Sequence, residues 1–292
     1  MKINEINIRD PFILTHNNTY YMYGSRVGLP EGNLFHGRQN GIDVYISHDL
    51  ENWVKGNTVF AENESFWGKY QFWAPEVHVY KNKFYMFATF KSDDRCRGTH
   101  ILSCDIPDGE FKPISENPQT PSDWECLDGT FYVDKSGNPH LVFCHEWAQV
   151  GDGEICEVQL SDDLTHAVTE PRILWKASAY KDVISTLPDQ KALVTDGPFF
   201  HRCKNGSLAC IWSTYSAKGY AELVSVSDNG DIDGSWKLID TPISNCDGGH
   251  GMIFTSLEGE TLFVMHKPNV PTTERPVIFP VKEIENKLIL DE

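Results

Sequence analysis

Short runs of alternating hydrophobic and polar residues, separated by turns rich in Asn, Gly, Lys and Ser, recur along the whole chain. In each run a small or polar residue precedes Pro or Gly, and an alternating apolar segment follows. A second aromatic or β-branched segment comes after the turn. Such alternation, bounded by such turns, is typical of a β-hairpin. The five hairpins begin at Ile8, Phe72, Cys126, Val194 and Gly248.

One residue near the start of each hairpin recurs roughly every 60 residues, a spacing typical of propeller blades. These five anchor residues are Asp10, Ala74, Asp128, Asp196 and His250. Outer strands are indicated at 41–53, 99–111, 153–164 and 221–236, and residues 275–290 complete the last unit. Helical periodicity is nearly absent. The sequence therefore predicts an all-β, five-bladed β-propeller in which residues 1–292 form a single domain.

The composition supports a globular protein and excludes some partners. Apolar residues make up 40% of the chain and the net charge is −17. Such a chain repels phosphate backbones and anionic lipids, so neither nucleic acid nor a membrane is an expected partner, whereas a neutral or cationic small ligand is compatible. No apolar leader or membrane-spanning run is evident, so we expect a cytoplasmic protein, or a secreted one if a leader has been removed. The sequence gives no indication of the oligomeric state.

The eight cysteines contain no Cys-x-x-Cys pair, and several lie within apolar runs such as LVFCHEW and SLACIWS. Free buried thiols in a reducing compartment are therefore expected, rather than disulfides or a metal cluster. A zinc hydrolase is also disfavoured, because there is no His-x-x-x-His pair.

The propeller geometry brings the anchor residues together. The innermost strand of each blade lines the central channel, so Asp10, Asp128, Asp196 and His250 are expected to meet at one mouth. Crowding and burial should raise the pKa of one carboxyl and leave another ionised. An acid and a base of this kind are what hydrolysis of a glycosidic bond requires.

Aromatic residues near the anchors are expected to stack on sugar rings. The aromatic candidates are Phe72, Trp73, Trp124, Trp147 and Trp212. Glu146, His250 and Arg275 are further candidates for substrate contact. Each tryptophan could equally pack between blades.

The blade openings RDPFI, WAPEV, LDGTFYVDKSG, TDGPFF and GGHGM, in this order, resemble glycoside hydrolase family 43 over nearly the full chain. The resemblance implies an inverting hydrolase that requires no cofactor. It implies that Asp10 is the general base, that Asp128 orients the acid and modulates its pKa, and that Asp196 stands at the position of the acid. It also implies a structural calcium or sodium ion and its waters near His250 in the central channel.

One residue departs from the family pattern, which has Glu-Gly-Pro where this chain has Asp196-Gly-Pro. The aspartate side chain is one methylene shorter, and a misplacement of about 1 Å matters in catalysis. Glu146, in CHEWAQ, and Glu76, in WAPEV, are the alternative acids, with Glu222 a weaker choice.

The specificity expected from the sequence is hydrolysis of terminal α-L-arabinofuranosyl residues of plant-type saccharides. The long segment 25–41, which carries Arg26, His36 and Arg38, could cap the pocket and make the enzyme exo-acting. The alternatives are a β-xylosidase, an arabinanase or a galactofuranosidase of the same fold. A carbohydrate-binding propeller without hydrolysis is the alternative from another class. A phosphorolytic propeller enzyme, or one acting on sulfated sugars, is disfavoured by the few basic residues near the anchors.

Overall fold

The computed structural model describes residues 1–27, 40–284 and 287–291, and these form five antiparallel sheets of four strands, each built from consecutive strands. Blade 1 contains β1 (Ile8–His16), β2 (Thr19–Arg26), β3 (Gly41–Ser47) and β4 (Trp53–Ala61). Blade 2 contains β5 (Tyr70–Tyr80), β6 (Lys83–Lys91), β7 (Gly98–Cys104) and β8 (Lys112–Pro113). Blade 3 contains β9 (Cys126–Val133), β10 (Pro139–His145), β11 (Glu154–Gln159) and β12 (Arg172–Lys176). Blade 4 contains β13 (Asp196–Arg202), β14 (Leu208–Ser216), β15 (Gly219–Ser227) and β16 (Trp236–Leu238). Blade 5 contains β17 (Gly249–Thr255), β18 (Thr261–Lys267), β19 (Arg275–Ile284) and β20 (Lys287–Leu290).

The predicted five-bladed β-propeller is confirmed. Helical structure in the described residues is limited to α1 (Trp147–Val150) and two single 3-10 turns, Ile3–Glu5 and Ala177–Ala179. None of these helices is long and apolar enough to cross a membrane. In the described residues none of the eight cysteines is in a disulfide, and five of them are buried.

The inner hairpins form where the sequence supplies residues that tolerate left-handed backbone conformations. Asn17 and Asn18 link β1 to β2 with φ of 47° and 56°, and Lys81 and Asn82 link β5 to β6 with φ of 48° and 62°. Positive φ at both central residues is the requirement of a tight hairpin turn whose twist matches that of its strands.

The ring closes between the first and last blades through side-chain contacts rather than by exchange of a strand. Asn7 Nδ2 donates to Glu274 O at 2.8 Å, and Arg9 Nη1 lies 3.2 Å from Glu274 Oε1. Glu274 is only 1% exposed, so this ion pair is largely removed from water. Closure therefore places β1, with Asp10, against β17 and β18 of blade 5.

Candidate active site

Every inner strand contains a β-bulge near its start, where the pairing register with the second strand shifts. One residue of each bulge has a positive φ between 44° and 56°, a conformation that costs a non-glycine residue energy and is typical of functional sites. The five bulge residues are Asp10, Ala74, Asp128, Gly197 and His250. A residue with this left-handed conformation recurs near the start of every inner strand, and together these residues mark the mouth of the channel.

The bulge of blade 4 corrects one prediction from the sequence, which took Asp196 as the equivalent of Asp10 and Asp128. Blade 4 presents Gly197 at the position of Asp10 and Asp128, and Asp196 is the residue before it. A Cβ atom on Gly197 would lie 2.8 Å from the His250 ring, so only glycine allows the two inner strands to approach this closely. Asp196 reaches the mouth from the position that Arg9 occupies in blade 1.

Four bulge N–H groups donate to an acceptor on the second strand of the preceding blade, over 2.7–3.2 Å. The acceptors are Ser25 Oγ for Ala74, Thr89 Oγ1 for Asp128, Ser213 Oγ for His250 and His266 Nδ1 for Asp10. These bonds fix each bulge against its neighbour. The fifth N–H, that of Gly197, donates instead to Asp128 Oδ2 at 3.1 Å.

Asp10 lies in a cationic environment. Its Oδ2 accepts a 2.6 Å hydrogen bond from Ser25, and its Oδ1 lies 3.2 Å from His250 Nδ1 and 3.5 Å from Arg9 Nε. Burial opposes ionisation, but His250 and Arg9 hold the pKa of Asp10 well below its usual value. Oδ1 is buried and accepts no hydrogen bond from any described residue. Asp10 therefore stays ionised and keeps one oxygen available for a proton.

Asp128 and Asp196 have the opposite environment. Burial raises the pKa of Asp128 to about 8, and the charges on Asp196 and Asp10 add to this rise. Burial also raises the pKa of Asp196, against the opposing effects of His250 and of Tyr220, whose hydroxyl donates to Asp196 Oδ2 at 2.9 Å. Asp196 is partly exposed, whereas Asp128 is 7% exposed. This pair therefore holds a proton near neutral pH, and Asp196 is its accessible member.

His250 lies between the two groups, 3.2 Å from Asp10 Oδ1 and 3.7 Å from Asp128 Oδ2. Burial opposes its charge, but the surrounding carboxylates raise the pKa of His250 above its usual value. Burial and Arg9 lower the pKa of the neighbouring His266 to about 3. Neutral His266 can thus accept from Asp10 N through Nδ1 and donate from Nε2 to Asn269 Oδ1.

Arg9 and Tyr220 were not singled out from the sequence, and Glu222 was named there only as a weaker alternative acid. Arg9 directly precedes Asp10 in RDPFI. Tyr220 and Glu222 lie on one face of β15, and Glu222 is fully buried, with its Oε2 accepting from Ser213 Oγ and Gly251 N. Burial raises the pKa of Glu222 to about 8. The sequence signal for Glu222 is a glutamate within the alternating apolar segment GYAELVSV, which indicates a buried carboxyl.

Glu146, the alternative acid, belongs to an adjacent wall of the site. It forms an ion pair with Arg97 Nη1, whose guanidinium lies 5.2 Å from the ring centre of Trp73. Arg97 Nε also donates to Gln71 Oε1 at 2.8 Å. Burial raises the pKa of Glu146, and Arg97 opposes this rise. A carboxylate held by arginine is a poorer proton donor than Asp196, whereas half-buried Trp73 and Trp147 remain able to contact a sugar.

Three residues predicted to contact substrate lie elsewhere. Phe72 is 3% exposed and packs against Phe60, Phe66 and Phe90, and Trp212 is fully buried beside Trp175. Each blade packs against its neighbours, so both rings lie in the hydrophobic core and not at the mouth of the channel. The Arg275 guanidinium donates to the carbonyl oxygens of Asn4 and Glu274, on the outer part of blade 5, and not to the carboxylates of the site.

Three further candidates from the sequence are already engaged with protein groups. Glu76 pairs with His78 at 2.7 Å, and Trp124 stacks on His145 with ring centres 4.1 Å apart. Arg26 pairs with Asp43 in blade 1. His36 and Arg38 of the predicted capping segment lie outside the described residues.

The expected ion at His250 has few direct ligands. Among the described residues, His201, Cys203 and Glu283 form the only group of three close donors, and they lie at the far end of β13. Glu283 there already accepts hydrogen bonds from His201 and Lys204 N. Calcium prefers oxygen ligands, so an ion beside His250 would depend on oxygens of the nearby Asp10 and Asp128 carboxyls or of water. The calcium or sodium ion stays a prediction.

A separate cleft of about 560 Å³ lies on blade 2 and contains none of the anchor residues. Its Trp67 Nε1 donates to His100 Nδ1 at 2.8 Å, and Arg95 lies 5.8 Å from the indole centre. The buried carboxyls with shifted pKa values, Asp10, Asp128 and Asp196, lie instead at the mouth of the central channel.

An ionised Asp10 and a proton-bearing Asp128–Asp196 pair therefore lie on opposite sides of His250. Comparisons with known proteins point to one family. The family model described as "Glycosyl hydrolases family 43" matches residues 3–282. A solved structure described as an endo-arabinase from Bacteroides thetaiotaomicron VPI-5482 is 37% identical, with a TM-score of 0.89 and 98% of both chains covered.

Two more distant proteins are also similar. The "Extracellular endo-alpha-(1->5)-L-arabinanase 1" of Bacillus subtilis (strain 168) is 25% identical over 158 residues, which are 50% of this chain and 46% of that enzyme. An α-L-arabinofuranosidase from Lactobacillus brevis shares the fold, with a TM-score of 0.76 and 18% identity over 100% of this chain and 97% of that one. The family model across nearly the whole chain, on a five-bladed propeller, decides the assignment: this chain belongs to glycosyl hydrolases family 43 and is a glycoside hydrolase.

Proposed function

We propose that this glycoside hydrolase cleaves α-L-arabinofuranosyl linkages of arabinan-type saccharides with inversion of configuration. The observation that carries the chemistry is the contrast in surroundings: Asp10 lies beside Arg9 and His250, whereas Asp128 lies beside the second carboxyl, Asp196. The arabinan specificity is supported by the 37% identity to an endo-arabinase over 98% of both chains.

In the proposed reaction Asp10 takes a proton from the attacking water. Its Oδ2 is fixed by Ser25, and its Oδ1 accepts no other hydrogen bond from the described residues. The low pKa of Asp10 keeps this carboxylate ionised over the working pH range. The bond that forms joins the water oxygen to the anomeric carbon, on the face opposite the leaving group.

Asp196 donates its proton to the departing glycosidic oxygen in the same step. It is the partly exposed member of the pair, and its raised pKa retains the proton until the leaving group needs it. Asp128 supports this role because two adjacent buried carboxyls cannot both ionise without cost, so the pair shares a proton near neutral pH. Its Oδ2 also accepts a hydrogen bond from the peptide N–H that follows Asp196.

Attack on internal arabinan linkages is the favoured mode, because two of the similar proteins are described as an endo-arabinase and an endo-arabinanase. Release of terminal residues, which the sequence favoured, remains the second candidate. It depends on the long segment 25–41, most of which lies outside the described residues. A β-xylosidase or galactofuranosidase activity has less support from the 37% identical structure.

The substrate is a carbohydrate in either mode. The similar Bacillus subtilis enzyme is described as extracellular, so the comparisons lend no support to the expected cytoplasmic location. The free cysteines are compatible with a reducing compartment but do not require one.

The test is a panel of linear 1,5-arabinan, arabino-oligosaccharides and nitrophenyl glycosides of arabinofuranose, xylopyranose and galactofuranose. We expect arabinan chain length to fall before free arabinose accumulates, and proton NMR to show an inverted first-formed anomer. Free arabinose from the start would favour the terminal mode. Sugar affinity without turnover of any member would instead identify a binding propeller.

A further inference from the structure

Cys144 breaks a pattern that the other four blades share. In each blade, one residue of the second strand is paired with the residue that precedes the bulge. These five residues are Ser25, Thr89, Cys144, Ser213 and His266. The four other than Cys144 each accept the bulge N–H of the next blade.

A thiol is a weak hydrogen-bond acceptor compared with a hydroxyl or an imidazole nitrogen. Cys144 is fully buried, and its electrostatic neighbours include Asp128 and Asp196, so it faces the acid pair. By the pattern of the other blades, residue 144 of blade 3 would accept the bulge N–H of blade 4, which is that of Gly197. This N–H is bonded to Asp128 Oδ2 at 3.1 Å.

We propose that Cys144 is a positioning residue of the acid pair, and that it acts by not accepting the Gly197 N–H. The free N–H is thereby donated to Asp128, which ties the carboxylate of blade 3 to the peptide that follows Asp196. This inference rests on the proposed function, in which Asp196 is the acid and Asp128 supports it. Cys144 itself touches no reacting atom and performs no proton transfer.

A hydroxyl at position 144 would reverse this arrangement. It would match Ser25, Thr89 and Ser213, and it would compete with Asp128 for the Gly197 N–H. Asp128 Oδ2 would then lose this donor and could turn towards His250, which already lies 3.7 Å away. Asp196 would then lose Asp128 as the neighbour that orients it, although blade 3 would bind the bulge N–H of blade 4 in the same way as the other blades do.

The test compares Cys144→Ser and Cys144→Thr with Cys144→Ala. The hydroxyl variants should lower kcat on arabino-oligosaccharides by about 10- to 100-fold, the size of effect that a misplaced group produces, with KM nearly unchanged. Cys144→Ala offers no acceptor either, so it should keep kcat much closer to that of the parent protein while lowering the Tm. Cys156→Ser, a buried thiol on the adjacent strand β11, controls for burial of a hydroxyl in blade 3.

A packing role alone predicts the reverse order, with Cys144→Ala the more damaged enzyme. Equal kcat for Cys144→Ser and the parent protein, or equal loss in the Ser and Ala variants, would overturn the proposal. Crystal structures of the parent and of Cys144→Ser decide it independently of turnover. The expected result is a Gly197 N–H bonded to Asp128 in the parent and to the introduced hydroxyl in the variant. If the parent protein hydrolyses no substrate, the proposed function is wrong. The crystal structures still test this inference in that case, and a Gly197–Asp128 hydrogen bond that is unchanged in Cys144→Ser would overturn it.

Discussion

Asp10 and Asp128 occupy the same bulge position in blades 1 and 3, with φ of 53° and 56°, yet their surroundings give them opposite charge states. Asp10 faces Arg9 and His250, whereas Asp128 faces a second carboxyl, Asp196. The pKa is therefore lowered in the first case and raised in the second. The backbone repeat supplies equivalent positions, and the residues around them give the opposite charge states on which the proposed roles of base and acid depend.

Removing the base should have the largest effect. Asp10→Asn keeps the shape of the side chain but cannot take a proton, so activity should fall by about 10²–10⁴-fold on every substrate, whatever its leaving group. Steady-state kinetics on arabino-oligosaccharides and nitrophenyl arabinofuranoside check this. Asp43→Asn removes another buried, paired carboxylate of blade 1 and should affect stability far more than kcat. Near-normal turnover by folded Asp10→Asn would exclude Asp10 as the base.

Removing the acid should give a loss that depends on the leaving group. Nitrophenolate leaves without protonation, whereas a sugar alkoxide does not. Asp196→Ala should therefore lose about 10²–10⁴-fold on oligosaccharides but much less on nitrophenyl glycosides, and the basic limb of its pH profile should flatten. Glu146→Gln should show similar losses on both substrate types. If the leaving-group dependence appears at Glu146 instead, the proton donor belongs to blade 3.

Removing the hydroxyl that bonds Asp196 should have a smaller effect with a defined sign. The hydrogen bond from Tyr220 lowers the pKa of Asp196, so Tyr220→Phe should raise it. Because the acid works in its protonated form, the basic limb of the kcat profile should move to higher pH. Tyr23→Phe, which removes a buried hydroxyl bonded to Pro107 O, should leave that limb in place. A shift to lower pH in Tyr220→Phe would contradict the assignment of Asp196.

Removing a cation should have the smallest effect. If an ion lies beside His250, between the two carboxyl groups, EDTA should lower the Tm by a few degrees, corresponding to roughly 1 kcal/mol for a protein of this size. Thermal melts of the parent and of His250→Ala check this, because the variant should no longer respond. Unchanged Tm and activity in the parent would exclude calcium at this position, because EDTA binds calcium but not sodium.

The fold could be predicted from the sequence because local signals suffice for hairpins. Asn17-Asn18 and Lys81-Asn82 lie between alternating segments, and such turns determine which strands pair. Repetition along the chain then gives the number of blades. The family resemblance is likewise confirmed. It could be recognised because its motifs are short local segments, each of which contains a bulge residue.

The site could be predicted only in part. The sequence pointed to Asp10, Asp128 and His250 as one set. In the structure the carboxyls of Asp10 and Asp128 lie 3.2 Å and 3.7 Å from His250 Nδ1. The sequence did not show that Gly197, rather than Asp196, is the bulge residue, because that depends on a backbone dihedral. Side-chain direction was also hidden, since Phe72 lies in the hydrophobic core and not at the mouth of the channel.

Contacts between blades were the other missing information. Ser25 fixes Asp10 in its own blade and also holds Ala74 of the next, and Tyr220 reaches Asp196 from the third strand of blade 4. Their roles follow from the assembled ring, in which strands far apart in sequence become neighbours. Arg9 and Tyr220 could not be recognised before that arrangement was known.

The most direct test of the account is the protonation of the aspartates, observed by ¹³C NMR of protein labelled at the aspartate carboxyl carbon. At pH 7 we expect a protonated carboxyl resonance that titrates at raised pH, consistent with a pKa of about 8 at Asp128. This resonance should disappear in Asp128→Asn, titrate at lower pH in Asp196→Ala, and persist in Asp10→Asn. A spectrum in which every aspartate is ionised at pH 7, or a protonated signal that belongs to Asp10, would contradict the assignment of base and acid.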